Sequence, residues 1–189
     1  MEKIRSLSYL EKIISKHKHQ QKKIILCHGV FDLLHIGHIK HFKEAKNFGD
    51  VLIVTVTADK FVIKGPNRPI NNHYFRAKVL ESLKQIDYVG INFTADAVKS
   101  IQIIKPDFYF KGKDYKGKKD LTLRLQKENN FVKKNGGKLI FTDSPLKSST
   151  EIINKSFANI FDSKLQKFLS TKNKEMLLNN SISQLEKIK

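Results

Sequence analysis

Four of the seven histidines in the chain fall between His28 and His41. They belong to a segment, Cys27-His-Gly-Val-Phe-Asp-Leu-Leu-His-Ile-Gly-His38, that follows an apolar run and enters a helical pattern near Gly37. A helix start offers backbone N–H groups without intrahelical partners and the positive end of the helix dipole, which together favour an anion. Gly37 has no side chain to keep a phosphate off the backbone, and His35 and His38 flank it. Two imidazoles in that place can donate hydrogen bonds to oxygens that gain charge as a pentavalent phosphorus forms. A lone histidine is more often a packed or surface residue, but this pattern at a strand-to-helix junction points to phosphate chemistry. Zinc is the other chemistry a histidine cluster suggests. The spacing is not the i, i+4 pair of a zincin helix, and no accompanying acid is evident. The one cysteine, Cys27, reads as a small buried apolar residue and excludes a disulfide framework or a multi-cysteine site. No protein-held metal is expected.

The elements that must position this segment alternate regularly. Residues 23–27 read as a buried strand, 37–48 as a helix stopped by Gly49, and 51–57 as a β-branched strand covered on both faces. A Gly/Pro/Asn-bearing loop follows from Asp59 to Pro69, and Asn71 or Asn72 caps a helix to about Gln85. Strands at 87–91, 108–110 and 138–142 alternate with helices at 94–104, capped by Thr94, and at 121–134. This order means βαβ units with right-handed crossovers and a parallel sheet covered by helices on both faces, an α/β fold. Ligands of such sheets bind beyond the carboxyl ends of the strands, so function falls to the loops at 28–38, 58–70, 111–118 and 143–150. Residues 1–21 form a helix-compatible lead-in with Leu7, Leu10, Ile13 and Ile14 at helical spacing. After about Asn154 an apolar stripe, from Phe157 to Leu169, reads as an appended helix or linker without chemistry of its own.

The chain has 189 residues, 36 Lys and Arg against 18 Asp and Glu, and a net charge of +18. Forty per cent hydrophobic residues is enough for a core at this length. No apolar run approaches the roughly 18 residues of a membrane span, and the polar amino terminus has no signal-like core, so a cytoplasmic protein is expected. The charge suggests a nucleic-acid partner. Two details weaken that reading. Only Arg5, Arg68, Arg76 and Arg124 are arginine, the residue that base readout favours, and the lysines are spread along the chain. No specific nucleic acid and no membrane is expected as a partner.

The segment GVFDLLHIGH, with its HxGH signature, closely resembles the cytidylyltransferase-like nucleotidylyltransferase superfamily. The resemblance runs from about residue 23 to 155. Asp59 follows the second strand; Arg68-Pro69-Ile70 and Arg76 are similar to the R-P-[VI]…R pattern; Lys111-Gly112-Lys113-Asp114-Tyr115 resembles the K-G-x-D-Y loop; and Ser148-Ser149-Thr150-Glu151-Ile152 resembles the terminal S-[ST]-T-x-I segment. Within the superfamily the likeness is strongest to heptose-1-phosphate adenylyltransferase and glycerol-3-phosphate cytidylyltransferase-type modules, some of them joined to a ribokinase-like sugar kinase. The resemblance implies a Rossmann-like, doubly wound, five-stranded parallel sheet, with the nucleotidylyltransferase domain at 22–155, the lead-in at 1–21 and a C-terminal helical appendage at 156–189. It implies transfer of a nucleotidyl group from CTP or ATP to a sugar or polyol phosphate, magnesium carried in with the triphosphate, a possible sugar-kinase partner or fusion, and a homodimer.

The resemblance also implies residue roles. His35, His38, Lys64 and Arg76 would be catalytic. Gly29, Val30, Phe31, Gly37, His38, Lys111, Gly112, Asp114, Tyr115, Ser148, Ser149 and Thr150 would bind the nucleotide, and Asp32, Asp59 and Arg68 the acceptor substrate. Plainer readings exist for some: Lys64 as one of many solvated lysines, Arg76 paired with Glu81 or another carboxylate, the serines as helix caps, Tyr115 as packing. Relatives that act on glycerol phosphate carry an arginine shortly before the terminal segment. Lys147 is the only cation near that place here, which favours a sugar phosphate. His28 stands where relatives often have asparagine or tyrosine, and the choice of base stays open. The alternatives are a pantetheine-phosphate-type adenylyltransferase and a non-enzymatic basic nucleic-acid-binding module. HIGH also opens the class I aminoacyl-tRNA synthetase signature, but no KMSKS-like loop is present.

Overall fold

A computed structural model of the chain describes residues 2–64, 67–113 and 119–142, with only the backbone of 119–122. The elements run α1 (Leu7–His19), β1 (Ile24–Gly29), α2 (Ile36–Lys46), β2 (Val51–Thr57), α3 (His73–Glu81), β3 (Tyr88–Asn92), α4 (Val98–Ile104), β4 (Phe108–Gly112), α5 (Lys119–Lys134) and β5 (Lys138–Thr142). All strand pairs are parallel, in the order β3-β2-β1-β4-β5. The chain therefore reverses its direction of travel across the sheet between β1 and β4. In open α/β sheets this switch point leaves a crevice beyond the strand ends. The fold is the Rossmann-like, five-stranded, doubly wound sheet that the alternation of elements predicts.

Strand periodicity divides the core into two. Ile25 and Cys27 of β1, with Leu52, Val54 and Val56 of β2, pack against Phe42 and Ala45 of α2 and Ala77 and Leu80 of α3. Ile24, Leu26 and Ile53 point the other way, toward Leu10 and Ile14 of α1, Ile101 and Ile104 of α4, and Val132 of α5. Both faces of β2 are buried, which is why its sequence, VLIVTVT, shows no polar alternation. The amino-terminal lead-in packs into the second cluster. Leu10 is fully buried and Ile14 nearly so, each burial contributing about 1.5–3 kcal/mol before entropy is counted. Residues 3–5 also pair with Val89 of the edge strand β3, covering part of an exposed ladder. No helix among the described residues is long and apolar enough to cross a membrane.

Two local expectations need correction. β1 runs on to Gly29 because β2 is long enough to pair His28 with Thr55 and Gly29 with Val56, which the short apolar run could not reveal. Thr94 does not cap α4, which starts at Val98. The Asn92 amide instead knits the preceding turn, donating to the carbonyls of Thr94 and Asp96 and accepting from the hydroxyls of Thr94 and Ser100. Asn72 does cap α3, accepting from the Phe75 amide at 2.9 Å. The expected appendage at 156–189 lies outside the described residues.

Candidate active site

The parallel strands deliver their carboxyl ends to one edge, and the histidine-rich segment leaves β1 at the switch point. Phe31 adopts a left-handed backbone (φ 50°), a conformation that costs a non-glycine residue roughly 1–3 kcal/mol. This turn folds its ring back over Gly29, where a Cβ would meet the ring at 3.0 Å, so glycine is the residue that fits. The same ring stands edge-on to His38 and against Phe42, both at 5.3 Å between centroids. Phe31, expected to bind nucleotide, is thus a buried residue that sets the position of His38.

His35 is the N-cap of α2, its Nδ1 accepting from the Gly37 amide at 3.1 Å. That bond places the imidazole proton on Nε2, making it a hydrogen-bond donor. The His38 ring lies 3.9 Å from the His35 ring at 31°, and its buried Nδ1 has no protein partner. Burial is the main reason the His38 pKa drops to about 3, with His35, His41 and Lys64 adding to the effect. Lys64 therefore lies close enough for its charge to be felt at His38. His41, one turn further on, bonds Thr142 of β5 at 3.0 Å and is lowered to about 4, by burial first and then by Lys111. His28 sits between Thr55 (2.9 Å) and Thr57 (3.3 Å), lowered to about 3 by burial and Lys111. All three of these imidazoles are neutral at pH 7.

Packing gives four of the expected site residues partners within the protein. Arg76 is 1% exposed. Its guanidinium donates to the carbonyls of Asn71 (2.9 Å), Thr57 (2.7 Å) and Val30, and to Asp59 (2.6 Å). It is a strut tying the ends of β1 and β2 to α3, with no open face for a phosphate, rather than a catalytic grip. Asp59 accepts from Arg76 and from both the amide and the ring of His73. Burial raises its pKa, but these bonds outweigh it and hold the carboxyl below the usual range. Asp32 is likewise buried, accepting from Arg68 (2.7 Å) and from the Ile70 and Asn71 amides (3.1 Å each). Burial raises its pKa too, and again those two amides and Arg68 outweigh it. Asp32, Asp59 and Arg68 therefore brace the 68–73 segment, and the buried Nη2 of Arg68 has no hydrogen-bond partner within the protein.

Gly29, Val30, Lys64 and Lys111 meet around a cavity of about 170 Å³, together with His28, Thr57, Phe61 and, from α5, Arg124, Leu125 and Glu128. Lys111, 5% exposed, lies 3.3 Å from Glu128 and stacks over Tyr109. Glu128 also accepts from the Ala97 amide (3.0 Å) and the Tyr109 hydroxyl (2.8 Å). Burial opposes the charge on Glu128, but Lys111, His28 and these bonds prevail and lower its pKa. Gly112 pairs with Thr142 in the β4–β5 ladder. Arg124 and Glu128 belong to no motif of the sequence; their i, i+4 spacing is the only hint, and lysine-rich helices carry many such pairs. Asp114, Tyr115, Ser148, Ser149 and Thr150 lie outside the described residues. Among the described residues no group of three or more His, Cys, Asp or Glu is placed to hold a metal ion.

Residues 26–155 match the cytidylyltransferase-like family. The chain belongs to that family. Cytidylyltransferase-like relatives include the bifunctional protein HldE of Aliarcobacter butzleri (strain RM4018), 41% identical over 71% of this chain and 29% of its own length. HldE of a Nitratiruptor species is 44% identical over 64% of this chain and 27% of its own. The chain thus spans under a third of the length of these curated relatives. The crystal structure of a lipopolysaccharide core biosynthesis protein from Thermoplasma volcanium GSS1 superposes with TM-score 0.56 at 28% identity, covering 66% of this chain and 99% of the other. A pantoate-beta-alanine ligase from Francisella tularensis shares the fold, with TM-score 0.59 at 20% identity, over 97% of this chain and 86% of its own.

Proposed function

We propose that this cytidylyltransferase-like chain transfers a nucleotidyl group from ATP or CTP to a sugar phosphate, with a heptose-type phosphate and ATP favoured by the resemblance of its motifs to heptose-1-phosphate adenylyltransferase modules. The observation that carries the reading is the stacked His35–His38 pair at the start of α2, beside the switch point of the sheet. His35 offers an Nε2 proton, and the unpartnered Nδ1 of His38 suits an oxygen brought by a ligand. In the proposed reaction an acceptor phosphate oxygen attacks the α-phosphorus. A new P–O bond forms, the bond from the α-phosphorus to the bridging oxygen breaks, and pyrophosphate leaves with the electron pair. No protein nucleophile is needed, so catalysis reduces to positioning and charge stabilisation. His35 and His38 would donate to the α- and β-phosphate oxygens, and Lys64 would neutralise charge beside them. Neutral imidazoles suit this role, because they become better donors as negative charge builds on the oxygens.

Magnesium is proposed to come with the triphosphate. The carboxylates at this edge, Asp32 and Asp59, are already committed to arginine and amide donors, so phosphate oxygens and water would supply its ligands. Its chemistry there would be to neutralise phosphate charge. A sugar kinase, separate or joined to this domain, is proposed as the source of the acceptor. The test is a pyrophosphate-release screen of ATP and CTP against aldose and polyol phosphates. Release with ATP and an aldose phosphate supports the reading. Release with none, alongside tight binding of generic RNA at physiological salt, would replace it with the binding-module alternative.

A further inference from the structure

The edge strand β3 is only partly covered on its open side. The N–H and C=O of Val89 bond to Lys3 and Arg5 of the lead-in, which lies parallel to the strand there. Ladder bonds alternate from side to side along a strand, and Asn92 faces inward, its carbonyl accepting from the Ala58 amide. Ile91 therefore faces outward like Val89, and among the described residues nothing pairs with its N–H or C=O. The lead-in does not continue to it, because Ser6 caps α1 and turns the chain onto the face that α4 and α5 share.

Beyond Ser6 this open ladder lies in a groove of about 560 Å³. Tyr74 of α3 lines it from one face of the sheet, and Leu7 of α1 and Lys99 of α4 from the other. Tyr74 is 63% exposed and Phe93 53%; their rings lie against that of His73, at 4.5 and 5.7 Å, which positions them without covering them. Exposed rings beside unpaired backbone make a surface that another chain can extend. The lining holds two cations, Arg5 and Lys99, and no carboxylate; Glu2, which pairs with Arg5, lies outside it. A second copy paired edge to edge would set these cations against each other on chains of net charge +18, and like charges across paired strands are destabilising. A negatively charged strand gains from the same arrangement.

We infer that this groove is a docking surface for an extended, acidic segment of another protein, which adds to β3 as a strand beside Ile91. The segment's backbone takes up the free N–H and C=O of Ile91. Side chains of neighbouring strands point to the two faces of a sheet in step, and here the two faces differ. The α3 face offers Ile91, Tyr74 and Phe93, whereas the opposite face offers Lys99. The segment that fits therefore alternates apolar residues toward α3 with carboxylates toward Lys99. None of the lining residues belongs to the proposed nucleotide site, so the surface is separate from the chemistry.

The test uses the whole chain and two blocked hexapeptides, one alternating valine with glutamate and one alternating valine with lysine. Backbone amide NMR signals of β3 are followed as each peptide is added to about 1 mM. The glutamate peptide is expected to shift Ile91 and Phe93 and to slow hydrogen exchange at the Ile91 amide, with the lysine peptide at least about tenfold weaker. Lys99→Glu should reverse that order, and a fully N-methylated glutamate peptide, which has no ladder donors, should not bind. Lys99 and Tyr74 are both exposed, so substitution at either leaves the core intact. No binding of the glutamate peptide, binding that ignores Lys99→Glu, or binding that survives N-methylation overturns the docking surface. Sedimentation tests the other occupant: a wild-type dimer that Tyr74→Glu splits into monomers would give the groove to a second copy and overturn the proposal.

Discussion

The two flanks of β1 meet at the same edge of the sheet but use different electrostatic means. On the α2 flank, His35, His38 and His41 are polar, and burial lowers the pKa of each and favours the neutral ring. On the α5 flank, Lys111 and Glu128 form an ion pair inside the protein, and Tyr109 and Ala97 complete the carboxylate's bonds. Arg68–Asp32 and Arg76–Asp59 repeat the second solution beside the first flank. A neutral donor loses little on burial and gains strength when charge arrives; a buried charge must be matched beforehand. The α2 flank is thus suited to charge that develops during a reaction, whereas on the α5 flank the buried charges already neutralise each other.

Acidification should break the contrast with the largest effect. His28, His38 and His41 bind protons far less readily folded than at their ordinary value of 6.5. The unfolded chain therefore holds more protons below that value, and stability must fall as pH drops from about 6.5 toward 4. Asp32 and Asp59, with lowered values, act in the same direction at still lower pH. Urea melts across the range from about pH 4 to 8 should show this decline, and His41→Asn should flatten it.

Glu128→Gln attacks the other flank. It leaves the Lys111 ammonium buried without its carboxylate and is expected to cost about 3–5 kcal/mol in urea unfolding. Adding Lys111→Met should recover much of that loss. His38→Ala tests function rather than folding. Loss of one preorganised donor is expected to slow pyrophosphate release by about 100- to 1,000-fold, with melting temperature little changed. Rates within about threefold of wild type would remove His38 from the chemistry. Gly29→Ala is the mildest change. Its Cβ meets the Phe31 ring at 3.0 Å, so a cost of about 1–3 kcal/mol is expected, together with a chemical-shift change at His38, on which that ring rests.

The architecture was largely legible because its signals are local. The run VLIVTVT declared a doubly buried strand, and β2 occupies the same seven residues. Asn71 or Asn72 declared a cap, and Asn72 is the one that caps. Thr94 misled for a physical reason: a hydroxyl before a helical pattern is an N-cap only if the backbone turns there, and Asn92 makes the chain turn later. At the site, His35 and His38 were legible because they flank one glycine at one helix start. Arg68 was legible as important but not as a brace, and Arg76 as possibly paired with a carboxylate but not with which one, since their partners lie 36 and 17 positions away in the sequence. Arg124 and Glu128 carried no signal that separates them from the solvated pairs of any charged helix.

Sequence alone determined the order of strands and helices, the junction at which a phosphate site could form, and the residue types able to serve it. Those features depend on neighbours within a few residues, where backbone preference and hydrophobic period act. Only the tertiary structure decided which cations face a ligand and which are neutralised. Arginines that look alike in the sequence end as buried struts at Asp32 and Asp59 or as a cavity wall at α5, because a charge is neutralised wherever folding brings a carboxylate against it. Among the described residues, Lys64, Lys111 and Arg124 are the cations that line the cavity at this edge.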